Sequence, residues 1–140
     1  MSTLKPERMS YRYFGHSGLQ VSAITMGQLL NLSNDGLAKD EDLIRACLAN
    51  GINHFDTAEI YSGGKAETQL GTILKSIGVP REEIVISTKI LSAPQPDINS
   101  HMTINRKHIR EGLKACLSRL QMDYVDVVYA HLFDDCTPVE

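Results

Sequence analysis

The sequence predicts an α/β protein, and within that class the N-terminal half of a (β/α)8 barrel. Short apolar, β-branched segments end at three polar residues, Asp56, Lys89 and His131. The steps from 56 to 89 and from 89 to 131 are 33 and 42 residues, close to the roughly 30 residues of one strand-plus-helix unit. Because parallel strands of a barrel end at one face, we expect these side chains at the C-terminal face, where such barrels carry out chemistry.

The N-terminal part predicts a tail followed by a hairpin. Residues 1–10 are expected to form a flexible tail, and residues 11–140 to form the half-barrel domain. Residues 11–14 and 19–22 favour β-structure and are joined by the glycine-bounded segment Gly15–Gly18, which is typical of a hairpin. Residues 23–26 predict a first buried strand that ends at Gly27.

Helices and strands are predicted to alternate in the rest of the chain. The predicted helices span 40–50, 66–76 and 106–120, and the predicted strands span 52–55, 84–88 and 125–130. Acidic residues are expected in the first turn of the first helix, and Asn105 is expected to cap the third. The apolar faces of the three helices are predicted to contain Leu43, Ala46 and Cys47; Leu70, Ile73, Leu74 and Ile77; and Ile109, Leu113, Cys116, Leu117 and Leu120.

The last four residues predict the start of a further helix. Thr137 and Glu140 have the spacing of a capping box, and Pro138 occupies the first helical position. The sequence therefore gives the expectation of a truncated barrel with four of its eight strands. Such an open sheet has two uncovered edges, which favours association.

Composition excludes several classes of protein. The 140 residues are 42% apolar and carry a net charge of −3, with scattered basic residues, so we expect a globular domain that does not bind nucleic acid. No segment has the composition of a signal peptide or a membrane span, so a soluble, cytoplasmic protein without direct membrane insertion is expected. The cysteines at 47, 116 and 136 lack metal-ligand spacing and are expected to be two buried thiols and one loop thiol.

One group of residues suits the reduction of a carbonyl, which needs a proton donor near the oxygen. Tyr61 lies five residues after Asp56 and is a candidate donor. A free phenol keeps its proton up to about pH 10, so a lysine cation beside it must favour the phenolate, and a carboxylate must hold that lysine. Lys89 and Asp56 fit these two roles, and His131 could orient the carbonyl.

Other signals favour structural roles. The segment Gly63-Gly-Lys65 lacks the rest of a phosphate-binding loop and predicts a helix entry. The basic cluster Arg106-Lys-His108 with Arg110 predicts a solvated helix start. Asp134 and Asp135 predict a loop or cap, and no metal site is expected. Structural roles are also expected for His16, His54, His101 and His108.

Several motifs together resemble the aldo-keto reductase superfamily. They are Phe55-Asp-Thr-Ala-Glu-Ile-Tyr61, Gly64-Lys-Ala-Glu67 with Leu70-Gly71, Ser87-Thr-Lys89, Gly112-Leu-Lys-Ala-Cys-Leu-Ser-Arg-Leu120 and Tyr124-Val-Asp-Val-Val128. With Tyr11-Arg-Tyr-Phe-Gly15 and Gly51-Ile-Asn53, the chain is most similar to the branch that contains voltage-gated potassium channel β-subunits. The resemblance runs from about Met9 to Glu140 and covers the N-terminal half of that family's barrel.

The resemblance implies a set of catalytic roles. Tyr61 would be the general acid, Lys89 the cation beside it, Asp56 the carboxylate paired with Lys89, and His131 the substrate-orienting group. In channel β-subunits the position of His131 is commonly Asn, so His131 favours the catalytic side of the family.

The resemblance also implies NADPH as the hydride donor. Its binding residues in this chain would be Gly27, Gln28, Asp56 and Lys89, while most of the cofactor site would lie in the absent half. The chain departs from its relatives at Gly27-Gln-Leu29, where they have Gly-Thr-Trp, and at Leu132-Phe-Asp134, where they often have Arg-Pro-Asp.

Three functions remain open on these grounds. The first is an NADPH-dependent reductase of small aldehydes or ketones, possible only with a second half-barrel. The second is a regulatory module like a potassium channel β-subunit, with a channel partner or as a homo-oligomer. The third is a truncated, non-catalytic product.

Overall fold

The fold alternates strands and helices after an initial hairpin. The structure is a computed structural model that describes residues 9–27 and 36–138. Its elements are β1 (Tyr11–Tyr13), β2 (Gln20–Ser22), β3 (Met26–Gly27), α1 (Gly36–Ala49), β4 (His54–Asp56), α2 (Lys65–Ile77), β5 (Val85–Ile90), α3 (Arg106–Leu120) and β6 (Val127–Ala130). Two short 3-10 helices, Tyr61–Gly64 and Arg81–Glu83, precede α2 and β5.

The predicted hairpin is confirmed. Strands β1 and β2 pair antiparallel with Tyr11 opposite Ser22. The link between them contains two glycines with positive φ, Gly15 at +56° and Gly18 at +78°, a backbone region that glycine enters without a steric cost. The Tyr11 hydroxyl donates to the carbonyl of Gly51 at 2.8 Å and so ties the hairpin to the segment before β4.

The other four strands form the predicted parallel half-barrel sheet. Their order is β3-β4-β5-β6, and every neighbouring pair is parallel. Sequence order and spatial order therefore coincide, as in a singly wound barrel wall, and the C-terminal ends of the strands lie at one face. Within the described residues, β3 and β6 each pair on one side only.

Helices α1, α2 and α3 pack against one side of this sheet. The buried core lies between them and β4 and β5, and it consists of Ile44, Phe55, Leu70, Ile73, Leu74, Ile84, Ile86 and Leu120. Gly71 lets α2 approach α3 closely, because a Cβ there would lie 2.1 Å from the carbonyl oxygen of Leu120. Asn105 caps α3 as predicted, accepting a hydrogen bond from the His108 amide at 2.9 Å.

Two predicted helix faces were wrong in part. In α1, Leu43 and Ala46 are exposed, and the buried side contains Asp40 and Ile44. The helix begins at Gly36, four residues earlier than predicted, so its acidic residues do not lie in its first turn.

In α3 the buried residues recur every fourth position, at His108, Gly112, Cys116 and Leu120, while Ile109 is 40% exposed. His108 is therefore buried and not part of a solvated helix start, because its ring bonds to a buried carboxylate. That carboxylate belongs to Glu59, whose Oε2 lies 3.2 Å from Nε2 of His108.

The strands also differ from their predicted bounds. Of the strand predicted at 23–26, only Met26 lies in the observed strand, Met26–Gly27. Ala23 and Ile24 are exposed, and this strand is an edge strand of the described sheet. Strand β5 continues to Ile90, so Lys89 lies inside it. Most of the predicted tail, residue Gln28 and the last two residues of the predicted capping box lie outside the described residues.

Candidate active site

The centre of the candidate site is an ion pair between neighbouring strands. Asp56 is the last residue of β4, and Lys89 lies near the end of β5. The Lys89 ammonium donates to Asp56 Oδ2 at 2.5 Å and to the carbonyl of Thr57 at 2.7 Å. Both side chains are largely buried, at 15% and 23% exposure, so the pair is screened less by solvent than a surface pair would be.

Tyr61 is held beside this pair by the loop that follows β4. The loop is bonded to β5 through the amides of Thr57 and Glu59, which donate to the carbonyls of Ser87 and Lys89 at 3.0 and 3.2 Å. Tyr61 then begins the 3-10 helix, and the Lys89 ammonium lies 4.7 Å from the centroid of its ring. The contact between Lys89 and Tyr61 is therefore a cation–π contact with the face of the ring.

His131 closes the group from the fourth strand. It follows β6 directly, and its amide donates to the carbonyl of Ile90 at 3.1 Å. Its ring is edge-on to that of Tyr61, with centroids 5.6 Å apart and planes at 78°. Nδ1 of His131 is buried and has no hydrogen-bond partner among the described residues.

The protonation of His131 follows from its surroundings. Burial and the positive charge of Lys89 lower the pKa of the imidazole, partly opposed by Asp56 and Glu59. The ring is therefore neutral near pH 7, with one N–H to donate.

Three of these residues, Asp56, Lys89 and His131, line one cavity of about 570 Å³, and Tyr61 does not line it. Its lining is formed by Thr25, Gly27, His54, Asp56, Lys89, Tyr129, Ala130 and His131. Gly27 leaves open space there, because a Cβ at this position would meet no atom within 4 Å. Of the predicted site residues, Asp56, Tyr61, Lys89 and His131 are brought together, Gly27 lies on the same cavity, and Gln28 lies outside the described residues.

Sequence reasoning missed two residues, Ser87 and His54, that form a hydrogen-bonded chain to the Asp56 carboxylate of the ion pair. The Ser87 hydroxyl donates to Asp56 Oδ1 at 2.6 Å, and His54 Nε2 lies 3.0 Å from Ser87 Oγ. His54 was expected to have only a structural role. The signal that could have found both residues is alternation along the strands, since His54 and Asp56, and likewise Ser87 and Lys89, are two positions apart and face the same side.

Asp134 has the loop role that was expected of it. Its carboxylate accepts from the hydroxyls of Thr103 and Thr137 and from three backbone amides, at 2.6 to 2.9 Å. These bonds lower the pKa of Asp134 and join the loop after β6 to the loop before α3. Within 9–27 and 36–138, no three His, Cys, Asp or Glu side chains are grouped closely enough to hold a metal ion.

Comparison with known proteins identifies the family. The model of the aldo/keto reductase family matches residues 30–140. The chain is 42% identical to a Schizosaccharomyces pombe protein named as a voltage-gated potassium channel beta subunit, over 97% of this chain and 40% of that protein. It is also 42% identical to an Arabidopsis thaliana protein of the same name, over 94% and 40%.

Solved structures show the same relationship. A thermostable aldo-keto reductase in complex with the inhibitor epalrestat superimposes with a TM-score of 0.78 at 25% identity, over 93% of this chain and 45% of that one. An aldo-keto reductase from Pseudomonas aeruginosa gives a TM-score of 0.74 at 28% identity, over 89% and 48%. The chain belongs to the aldo/keto reductase family, and it spans about 40% of the length of the curated relatives.

Across the described ranges, no helix combines the length and the apolar composition that crossing a bilayer requires.

Proposed function

We propose that this chain supplies the catalytic groups of an NADPH-dependent reductase of small aldehydes or ketones. The observation that supports this proposal most strongly is the position of Lys89. Its ammonium contacts both the Asp56 carboxylate, at 2.5 Å, and the ring of Tyr61, at 4.7 Å to the centroid. A cation held between a carboxylate and a phenol favours the phenolate that remains after Tyr61 gives up its proton.

The proposed roles follow from these contacts. Tyr61 donates its proton to the carbonyl oxygen, and Lys89 stabilises the negative charge left on the phenol. Asp56 keeps Lys89 in place, with its second oxygen bonded to Ser87. His131, neutral and beside Tyr61, orients the carbonyl through its one N–H. Each residue thus has a role that matches its charge and position.

The described residues fit the reacting end of a nicotinamide cofactor. Gly27 lines the cavity with open space where a Cβ would lie, and Nδ1 of His131 is a buried polar atom without a partner in the described part of the chain. We propose Gly27, Gln28, Asp56 and Lys89 as cofactor contacts. When bound, NADPH supplies the hydride to the carbonyl carbon, while the proton of Tyr61 goes to the oxygen to give an alcohol.

The test uses a chimera in which this chain replaces the matched segment of the Schizosaccharomyces pombe relative. NADPH deuterated at the transferable position is mixed with a panel of small aldehydes and ketones, and the alcohols are analysed by mass spectrometry. We expect deuterium on the carbinol carbon of at least one product. If no aldehyde or ketone is reduced while the chimera is folded and binds NADPH, the reductase proposal is wrong.

A second candidate function is a regulatory subunit of a potassium channel. It is favoured by the names of the Schizosaccharomyces pombe and Arabidopsis thaliana relatives. For either function, we propose that the protein is cytoplasmic and that it can form homo-oligomers. Co-purification of the chimera with a voltage-gated potassium channel would support the regulatory role. Failure of both reduction and channel binding would leave the truncated, non-catalytic product.

A further inference from the structure

Resting on the proposed reductase function, we propose that His54 is a positioning residue of this site. Through Ser87, His54 fixes the orientation of the Asp56 carboxylate, and Asp56 in turn fixes the Lys89 ammonium over the ring of Tyr61. His54 contacts neither Lys89 nor Tyr61 in this scheme. It acts by controlling the direction of a hydrogen-bonded chain.

The direction of that chain follows from counting hydrogens. Asp56 accepts from Lys89 at Oδ2, and its Oδ1 lies 2.6 Å from Ser87 Oγ. An ionised carboxylate can only accept, so the single hydroxyl hydrogen of Ser87 is directed at Asp56. The Ser87 hydroxyl oxygen must therefore accept at its second contact, which is His54 Nε2 at 3.0 Å. His54 consequently carries a hydrogen on Nε2.

The other side of the imidazole completes the chain. Nδ1 of His54 lies 3.0 Å from the hydroxyl oxygen of Thr25. A neutral ring with a hydrogen on Nε2 has its lone pair on Nδ1, so Thr25 donates there. The sequence of donors is Thr25 to His54, His54 to Ser87, and Ser87 to Asp56. The direction of each hydrogen bond thus determines which atom is the donor in the neighbouring bond.

Because this chain of hydrogen bonds is buried, the loss of any one of them should be costly. Ser87 is completely buried and His54 is 6% exposed, so little water is available to replace a lost bond. Burial lowers the pKa of the imidazole, with Lys89 acting in the same direction and Asp56 and Asp126 opposing it. Burial therefore outweighs the two carboxylates and leaves the ring neutral near pH 7, the form that the chain of donors requires.

Two substitutions of similar size separate positioning from packing. In His54→Gln, the side-chain amide nitrogen can reach the place of Nε2 and donate to Ser87. In His54→Asn, the shorter side chain cannot reach Ser87, whose hydroxyl is then free to turn away from Asp56. Ser87→Ala removes the link directly. His54→Gln is the conservative variant, which should keep the hydrogen bond to Ser87 that His54→Asn loses.

The first measurement is independent of activity. Long-range ¹H–¹⁵N spectra of the chimera at pH 7 report which ring nitrogen of His54 carries hydrogen, and the Asp56 carboxyl ¹³C shift reports the environment of that carboxylate. We expect hydrogen on Nε2 alone, and an Asp56 shift that moves in His54→Asn and Ser87→Ala but not in His54→Gln. Hydrogen on Nδ1, or an Asp56 signal unaffected by His54→Asn, overturns the positioning role whether or not the chimera reduces carbonyls.

The second measurement separates this inference from the reductase proposal. Because small displacements of reacting groups cost up to about 100-fold in rate, we expect kcat to fall on the order of 10- to 100-fold in His54→Asn, with KM little changed. His54→Gln should recover most of kcat. An active chimera in which both variants keep full kcat contradicts positioning by His54 and leaves the reductase proposal standing. An inactive chimera with the expected spectra contradicts the reductase proposal alone.

Discussion

The Lys89 ammonium lies over the face of the Tyr61 ring, 4.7 Å from its centroid, while it bonds to Asp56 at 2.5 Å. One cation therefore contacts both the Asp56 carboxylate and Tyr61, and its contact with Tyr61 is with the aromatic ring. From the sequence we expect the Lys89 cation beside the Tyr61 phenol. Lys89 does lie beside Tyr61, but it contacts the ring, and within the described residues its ammonium makes no direct hydrogen bond to the Tyr61 hydroxyl.

Replacing Lys89 should affect both activity and stability. Lys89→Met leaves Asp56 without its cation in a largely buried position, so we expect the free energy of unfolding to fall by about 1–3 kcal/mol. We also expect carbonyl reduction by the chimera to fall at least about 100-fold. Urea unfolding and steady-state kinetics measure the two effects. Lys65→Met is the matched control, because Lys65 is exposed at the start of α2; equal losses in the two variants would contradict the special role of Lys89.

Stability should decrease in mildly acidic solution. The pKa values of His54 and His131 are below the ordinary value of 6.5, mainly because of burial. The folded state then binds fewer protons than the unfolded state, so the free energy of unfolding falls as the pH drops from above 6.5 towards the lowered values. Urea unfolding of the chimera at pH 8, 6.5 and 5.5 measures this slope.

The variant His54→Gln provides the control for this slope, since it removes one of the two titrating groups. We expect it to flatten the dependence between pH 8 and 5.5. The lowered pKa of Asp134 acts in a separate range, below its ordinary value of 3.8, and does not contribute to that interval. A stability that rises as the pH falls through 6.5 would show that the environments of the two histidines are different from those described.

The same substitution, glycine to alanine, should affect stability strongly at Gly71 and hardly at all at Gly27. Gly71→Ala places a Cβ 2.1 Å from the Leu120 carbonyl oxygen, so we expect a loss of at least about 2 kcal/mol as α2 and α3 are forced apart. Gly27→Ala meets no atom within 4 Å and should change stability by less than about 0.5 kcal/mol. Because it narrows the cavity, it should weaken NADPH binding. Thermal unfolding of both variants and NADPH titration of the second test this pair.

The 140 residues alone should associate in solution and bind NADPH weakly or not at all. Strands β3 and β6 each pair on one side only within the described sheet, and Ile98, Leu132 and Phe133 are 93%, 55% and 79% exposed. Open strand edges beside exposed apolar side chains favour association. Sedimentation and NADPH fluorescence titration of the purified chain test this expectation. A stable monomer with micromolar NADPH affinity would contradict it.

The strand order and the candidate site were predictable from the sequence because both depend on local patterns. Polar residues at the ends of β-branched segments located Asp56, Lys89 and His131, and capping chemistry located the start of α3 at Asn105. Interactions between distant elements were not predictable in this way. The burial of His108 depends on Glu59, 49 residues away, and the role proposed for His54 depends on Ser87, 33 residues away.

The central claim is that Tyr61 gives the proton in carbonyl reduction, and the most direct measurement is the turnover of Tyr61→Phe in the chimera. We expect loss of detectable reduction with NADPH affinity close to that of the unsubstituted protein, because only a hydroxyl group is removed. Tyr13→Phe is the control, since Tyr13 is 67% exposed in the hairpin, and it should keep full activity. Unchanged turnover in Tyr61→Phe would contradict the mechanism.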